Sequence, residues 1–193
     1  MLLRDIKREL SITGKATDDQ LQSLIAGCSA AFARLCARDA TNGFGAIEVV
    51  QTEYLNRDRE RLWLEHWPVS AIASVVENGE TLGVDAYEME SQRKLFRRTA
   101  DGLGRTLWPA GKIVVTYSGG YDLPADCPPD LRDAALKTIK AAWFALKRDP
   151  AVKQESVPGV LDQAFWVGGM GGLNGLPEDV AATLANYRNI SFG

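Results

Sequence analysis

The chain has 193 residues, of which 46% are hydrophobic and 24% charged, and its formal net charge is −3. These values are typical of one soluble globular domain with an appended arm. No apolar run approaches the roughly 18 residues of a membrane span, and the first ten residues lack the apolar core of a signal peptide. We therefore expect a cytosolic protein without membrane contact. The slightly acidic balance disfavours a dedicated nucleic-acid-binding protein.

The N-terminal part of the sequence predicts two helices. Apolar residues recur at helical spacing over residues 2–13, and Gly14 follows where a left-handed residue would end the helix. Thr17 is predicted to cap a second helix over residues 17–38, with Gln20 reaching back to it.

The second helix carries an apolar stripe that predicts packing on a core. A further stripe contains only small side chains, those of Ala26, Ala30, Ala33 and Ala37. Such a stripe would let another backbone approach closely, but alanine also simply favours helices. Both interpretations remain open from the sequence.

From about residue 47 to 118, apolar and polar residues alternate, and turn-forming residues recur about every ten positions. This pattern predicts an antiparallel β region. Asn78 and Gly79 tolerate the positive φ angles of a tight hairpin turn. The expected strands cover residues 47–55, 61–67, 71–77, 81–89, 93–98 and 111–118.

A long helix is predicted at about residues 128–148, with one apolar and one charged face. Between these faces lies a strip of small residues, Ala134, Thr138, Ala141 and Ala145. The sequence thus predicts an α+β fold, in which the N-terminal helices and the long helix form a bundle with the β region inserted.

After Pro150 the sequence is rich in glycine and predicts a flexible or extended arm that ends in a short helix beginning at Pro177. The arm is too apolar for an inert linker. We therefore divide the chain into a domain of residues 1–149 and a C-terminal arm of residues 150–193.

The sequence offers little for catalysis. Gly119 and Gly120 precede a helix, as in a phosphate loop, but acidic residues and prolines follow them, so a structural turn is favoured. His66 is the one histidine, and Cys28 and Cys36 are spaced as core residues. We predict no enzymatic activity, no cofactor and no metal site.

Several segments together resemble the head-tail connector, or adaptor, proteins of tailed bacteriophages. The resemblance covers most of residues 1–148 and rests on the order of "TDDQLQSLIAGCSAAFARLCAR", "LEHWPVSAIASVVENGETL", "YEMESQRKLFR" and "WPAGKIVVTYSGGYDLPADCPPDLRDAALKTIKAAWF", with "LANYR" near the C-terminus. It implies a structural virion protein of the neck, assembled in the host cytoplasm. It also implies that the protein forms a ring, expected to be a dodecamer. The ring would lie beneath the portal protein and above a tail-side stopper or tail-terminator protein. DNA would pass through the ring without sequence-specific binding.

Under this interpretation the two stripes of small residues are candidate ring interfaces, because a ring needs two complementary surfaces on each copy. The arm is the candidate portal-binding segment, through Phe165, Trp166, Val167, Met170, Leu173, Leu184 and Tyr187. A different neck component, such as a head-completion or tail-terminator protein, is an alternative. A small cytosolic hydrolase or ligand-binding protein with a pocket near Trp63, Glu65 and His66 is another.

Overall fold

The structure, a computed structural model, describes residues 3–146, 154–157, 161–164 and 176–189. Those residues contain helices and antiparallel sheets, which confirms the predicted α+β class. The chain divides into two compact units. A helical unit holds the helices from both ends of the sequence, and a β unit consists of residues 44–123.

The described part of the helical unit has four helices, α1 Leu3–Glu9, α2 Asp18–Leu35, α3 Pro129–Leu146 and α4 Glu178–Ala185. Two short antiparallel strands, β9 Gln154–Val157 and β10 Leu161–Ala164, were not predicted. The amphipathic pattern of the helices explains the core. Its buried apolar residues include Ile6, Leu21, Cys28, Phe32, Cys36, Leu131, Ile139, Trp143, Val180 and Leu184.

The end of α1 differs from the prediction. Ser11, and not Gly14, adopts the left-handed conformation, with φ of 54°. The Ile12 N–H donates to the Lys7 carbonyl at 2.8 Å, and the Ser11 N–H donates to the Arg8 carbonyl at 3.2 Å. These two bonds form a Schellman motif, in which Ser11 is the left-handed residue that ends α1.

The predicted side-chain cap of α2 was wrong. Thr17 has ψ of 6°, away from the extended values of a capping residue, and its side chain makes no capping bond. Its hydroxyl is buried without a hydrogen-bond partner within the described residues. Lys7 instead contacts this end of the helix, because its Nζ lies 2.6 Å from the Asp18 carboxylate.

The β unit contains two sheets. Their strands are β1 Ile47–Leu55, β2 Arg61–Trp63, β3 Val69–Glu77, β4 Glu80–Thr81, β5 Tyr87–Glu90, β6 Lys94–Arg98, β7 Arg105–Thr106 and β8 Gly111–Gly119. The first sheet has the strand order β1-β8-β3-β4. The second has the order β2-β6-β5, and β7 also pairs with β6.

The prediction for β1 is confirmed at both ends, and the Asn78–Gly79 turn is confirmed by φ angles of 51° and 92°. The predicted strand over residues 81–89 was wrong in its middle, where Val84–Ala86 forms a 3₁₀ turn. The Ala86 N–H donates to the Gly83 carbonyl at 3.0 Å, which interrupts the extended chain at that glycine.

Buried residues of both sheets share one core. Trp108 is fully buried and donates its indole N–H to the Leu95 carbonyl at 3.1 Å, so its single polar atom is satisfied. The other members of this core are Leu55, Leu62, Leu64, Val75, Leu95, Ile113, Val115 and Tyr117.

The glycine pair at the end of β8, Gly119 and Gly120, is a structural turn, as predicted. Gly120 has φ of 96°, a conformation that side-chain-bearing residues rarely adopt. A Cβ at Gly120 would overlap the Gly45 carbonyl oxygen, and one at Gly119 would overlap the His66 carbonyl oxygen. Two glycines occur here because the neighbouring backbone leaves no room for a side chain.

Candidate interaction surfaces

One exposed face of α2 carries uncharged side chains, and all but one of them are small. We call it the α2 small-residue face, and it consists of Gln22, Ser23, Ala26, Ser29 and Ala30. From Gln22 to Ala30 it extends about 12 Å along the helix axis. Another backbone could approach this face closely around Ala26, Ser29 and Ala30, since these side chains are short and uncharged.

The other two alanines of the predicted α2 stripe are not available in the same way. Ala33 is buried, and a Cβ added at Gly43 would lie 3.6 Å from the Ala33 Cβ, so this alanine packs inside the helical unit. Ala37 is exposed but lies beyond the helix end, with φ of 50°. The Arg38 N–H donates to the Ala33 carbonyl at 2.8 Å, which again forms a Schellman motif.

The small-residue strip of α3 is divided along its length. Ala134 and Thr138 are buried, and the Thr138 hydroxyl donates to the Ala134 carbonyl at 2.9 Å. Ala141 is half-buried and Ala145 is exposed. Only the C-terminal half of the strip is therefore a candidate contact surface.

The same end of α3 exposes two larger apolar side chains, Phe144 and Leu146. The sequence interpretation assigned no role to Phe144. At 100° per residue it falls on the charged face of the helix, between Asp133 and Lys137. An aromatic residue on a charged face was the signal that could have identified this exposed position.

Leu184 and Tyr187, predicted to contact the portal, are buried within the helical unit. The Tyr187 hydroxyl donates to the Asp130 carboxylate at 2.6 Å. The Tyr187 carbonyl accepts from the buried Arg38 guanidinium at 3.4 Å. Both residues therefore hold the C-terminal segment against the helices.

An ion pair supports this attachment. Lys137 Nζ lies 2.7 Å from Asp179 Oδ2 and 3.0 Å from Asp133 Oδ2. The hydrogen bond to Asp179 raises the pKa of Lys137, and the same bond lowers the pKa of Asp179. The pair is exposed, so it is screened by salt and orients α4 more than it stabilises it.

Because α3 and α4 belong to one unit, the segment between them is tethered at both ends. Phe165, Trp166, Val167, Met170 and Leu173, the remaining predicted portal-binding residues, lie in this segment and outside the described residues. The part of the candidate arm that precedes α4 is therefore not a free C-terminal tail.

His66 belongs to a buried hydrogen-bond network in the β unit. Its side chain is only 5% exposed, and Nε2 lies 2.8 Å from the Gly45 carbonyl oxygen. The His66 backbone N–H donates to the Tyr117 hydroxyl, which donates to Gln51 Oε1, each at 3.0 Å. This network satisfies buried polar atoms and fixes β1 and β8 to the segment before β3.

The neighbours of His66 are engaged in the same structural way. The Arg93 guanidinium lies 4.7 Å from the Trp63 ring and 5.5 Å from the Trp67 ring. The Glu65 backbone N–H donates to Gln51 Oε1 at 3.0 Å. These contacts favour a structural role for the Trp63 ring, and Glu65 takes part in the network through its backbone.

Cys28 of α2 and Cys36, which follows the last residue of α2, are not poised for nucleophilic chemistry. Burial raises the pKa of Cys28 to about 12 and the pKa of Cys36 to about 11. Both thiols are therefore protonated at neutral pH and behave as core residues, as predicted. Within the described ranges, no group of histidine, cysteine and acidic residues is arranged to hold a metal ion. None of the described helices is long and apolar enough to cross a membrane.

Comparison with solved structures finds a similar fold in chains of gene transfer agent particles. One similar chain comes from the neck of an empty gene transfer agent particle computed with C6 symmetry, with a TM-score of 0.54 and 17% identity. Another comes from the virion of a native gene transfer agent particle, with a TM-score of 0.57 and 16% identity. Both matches cover 100% of this chain and 91% of the other.

A third similar chain belongs to the neck of a native gene transfer agent particle computed with C12 symmetry. Its TM-score is 0.51 and its identity 13%, over 99% of this chain and 90% of that one. No protein-family model and no curated protein sequence matches this chain. At these identities the likeness concerns the fold, and at that level it agrees with the resemblance to connector proteins of the virion neck.

Proposed function

We propose that this chain is a structural protein of a virion neck, a head-tail connector that forms a ring under the portal and joins the capsid to the tail. The observation that carries the proposal is the likeness in fold, over nearly the whole chain, to chains of gene transfer agent necks. His66 is buried and hydrogen-bonded to the Gly45 carbonyl oxygen. This environment supports a structural role for the protein over a hydrolase or ligand-binding role.

A ring of twelve copies is the proposed assembly. The neck structures that contain the similar chains were computed with C6 and C12 symmetry, and both symmetries are compatible with twelve subunits. A cyclic ring repeats one head-to-tail contact, so each copy needs two different surfaces. The α2 small-residue face and the exposed C-terminal end of α3, around Ala145, are two such surfaces on the helical unit.

The portal contact is assigned to the tethered segment between α3 and α4, through the apolar side chains of residues 165–173. Leu184 and Tyr187 act by anchoring the returning end of this segment in the helical core. A segment anchored twice loses less conformational entropy on binding than a free tail, which favours a stable contact with the portal.

The remaining partners follow from the position of a connector. A tail-side protein, a stopper or a tail terminator, binds below the ring, and DNA passes through its channel. The net charge of −3 agrees with a channel that DNA crosses without lasting contact. Assembly takes place in the host cytoplasm, and no cofactor or catalytic step is involved.

The ring interface is tested by placing a long cationic side chain on the α2 small-residue face. The Ala26→Arg and Ala30→Arg variants should fold normally, because both positions are exposed and arginine is compatible with a helix. They should fail to form rings on portal-bearing heads, because each side chain occupies the space that a neighbouring backbone needs. The mass of the assembled complex and electron microscopy of the heads measure this outcome.

Gln20→Arg is the matched control, since it adds the same charge at an exposed position of the same helix. Gln20 lies about 120° around the helix from Ala26, outside the small-residue face. Normal rings from Gln20→Arg and none from Ala30→Arg support the interface. Rings of normal mass from a variant with both alanines replaced would contradict it.

A further inference from the structure

The first sheet of the β unit has an outer face that is nearly free of charge. Along β1, Val50 is 64% exposed and Tyr54 is 75% exposed. The register of β1 with β8 and of β8 with β3 assigns the members of this face. We call it the outer sheet face, and it consists of Glu48, Val50, Thr52, Tyr54, Ala71, Ser74, Val76, Lys112, Val114, Thr116 and Ser118.

Its two charged residues have opposite signs and lie at opposite ends. Glu48 pairs with Ser118 near one end of β1, and Lys112 pairs with Tyr54 near the other. The Lys112 ammonium lies 5.9 Å from the centroid of the Tyr54 ring. With about 3.4 Å per residue, the two charges are roughly 20 Å apart along the strands. Between them the paired side chains of β1 and β8 are apolar or uncharged.

We infer that a second copy of this chain packs on the outer sheet face about a two-fold axis perpendicular to the strands. Such an axis reverses the strand direction, so Glu48 of each copy lies over the Tyr54 and Lys112 end of the other. A two-fold axis parallel to the strands would instead bring both Glu48 residues to the same end. Charge complementarity therefore selects the perpendicular axis and identifies a second copy as the occupant.

The size of the face indicates a weak dimer. Three strands of about nine residues cover roughly 30 Å by 14 Å, or about 850 Å² when both copies are counted. Stable interfaces bury about 1,200–2,000 Å² in total, so this contact belongs with transient ones. It would form at concentrations typical of accumulated free protein and would open easily.

This dimer is distinct from the proposed ring. A two-fold contact closes on itself after two copies, whereas a ring propagates a head-to-tail contact. The dimer is therefore a form of the free protein that covers an exposed apolar face before assembly. Because it uses the β unit, variants of the α2 small-residue face leave it intact, and failure of one proposal does not imply failure of the other.

Sedimentation velocity of the full chain, over about 5 to 200 µM, tests the dimer in the range expected for a transient contact. The wild-type protein should shift from monomer towards dimer as concentration rises. Tyr54→Glu should remain monomeric throughout, since it replaces a large exposed side chain of this face by a carboxylate that lies opposite Glu48 of the other copy. Circular dichroism confirms that Tyr54→Glu is folded, which is expected for such an exposed position.

A charge swap distinguishes this two-fold geometry from non-specific association of the exposed face. Glu48→Lys and Lys112→Glu should each weaken the dimer by about three- to tenfold, because symmetry repeats every change twice. The double variant should return to within about threefold of wild type, since it restores both pairs. Lys15→Glu and Asp126→Lys, exposed charges of the helical unit, serve as controls and should have no effect.

A wild-type chain that stays monomeric at every concentration would overturn the inference. So would a dimer that persists in Tyr54→Glu, or a double charge variant as weak as the sum of its single variants. The last result would show that the copies meet on this face in another orientation, and the two-fold geometry would then be wrong.

Discussion

Leu184→Ala will lower the free energy of unfolding of the helical unit by about 3 kcal/mol, within the range measured for large-to-small changes in cores. Leu184 is 4% exposed, and its carbonyl oxygen lies 3.5 Å from the sulfur of Cys36 at the C-terminal end of α2. The substitution leaves a cavity at the point where α4 returns to the core. Urea denaturation followed by far-UV circular dichroism measures the change.

Leu103→Ala is the control, because it is the same substitution at a side chain that is 90% exposed. It should change stability by less than about 0.5 kcal/mol. Equal stability of Leu184→Ala and wild type would mean that α4 is not docked as the structure describes it.

The same reasoning predicts the effect of removing α4 together with the residues that follow it. Val180, Leu184 and Tyr187 would all leave the core, and the buried Arg38 guanidinium would lose the Tyr187 carbonyl. The sum of such losses approaches the whole stability of a typical domain, about 5–15 kcal/mol. A deletion of residues 150–193 would therefore confuse unfolding with loss of portal binding.

Replacing residues 165–173 by glycine and serine, with α4 retained, will abolish attachment to portal-bearing heads and leave the unfolding transition unchanged. The replaced segment contains Phe165 and Trp166, and buried aromatic anchors dominate most interfaces. The expected loss of affinity is on the order of a hundredfold or more. Co-sedimentation of the purified variant with tail-less heads measures it.

The control for this replacement removes exposed apolar area elsewhere. A Val84→Ser and Leu103→Ser variant loses two of the most exposed apolar side chains of the β unit. It should bind heads as the wild type does. Undiminished binding of the 165–173 variant would show that the portal contact lies outside the tethered segment.

The elements that depend on local pattern could be predicted from the sequence. The alternation of apolar and polar residues predicted both ends of β1, because successive side chains of a strand point to opposite faces. The Asn-Gly pair predicted the turn after β3, because these residues tolerate positive φ angles. The cap of α2 could not be predicted in the same way. Lys7, eleven residues before the first residue of the helix, contacts its first turn, and sequence spacing does not reveal such a contact.

The candidate surfaces were harder to predict from the sequence than the secondary structure, because their exposure depends on tertiary packing. The α3 strip reads as uniform in sequence, yet Ala134 is buried and Ala145 is exposed. Tyr187 looked like an exposed aromatic residue of an arm, but its partners Arg38 and Asp130 are far away in sequence. A helical wheel gives the faces of one helix and does not show which face another helix covers.

The neck of particles assembled without this chain is the most direct test of a structural role at the head-tail junction. Electron microscopy of such particles should find filled heads and separate tails, and purified protein added to the heads should restore joined particles. Particles with complete necks and attached tails in its absence would contradict that role.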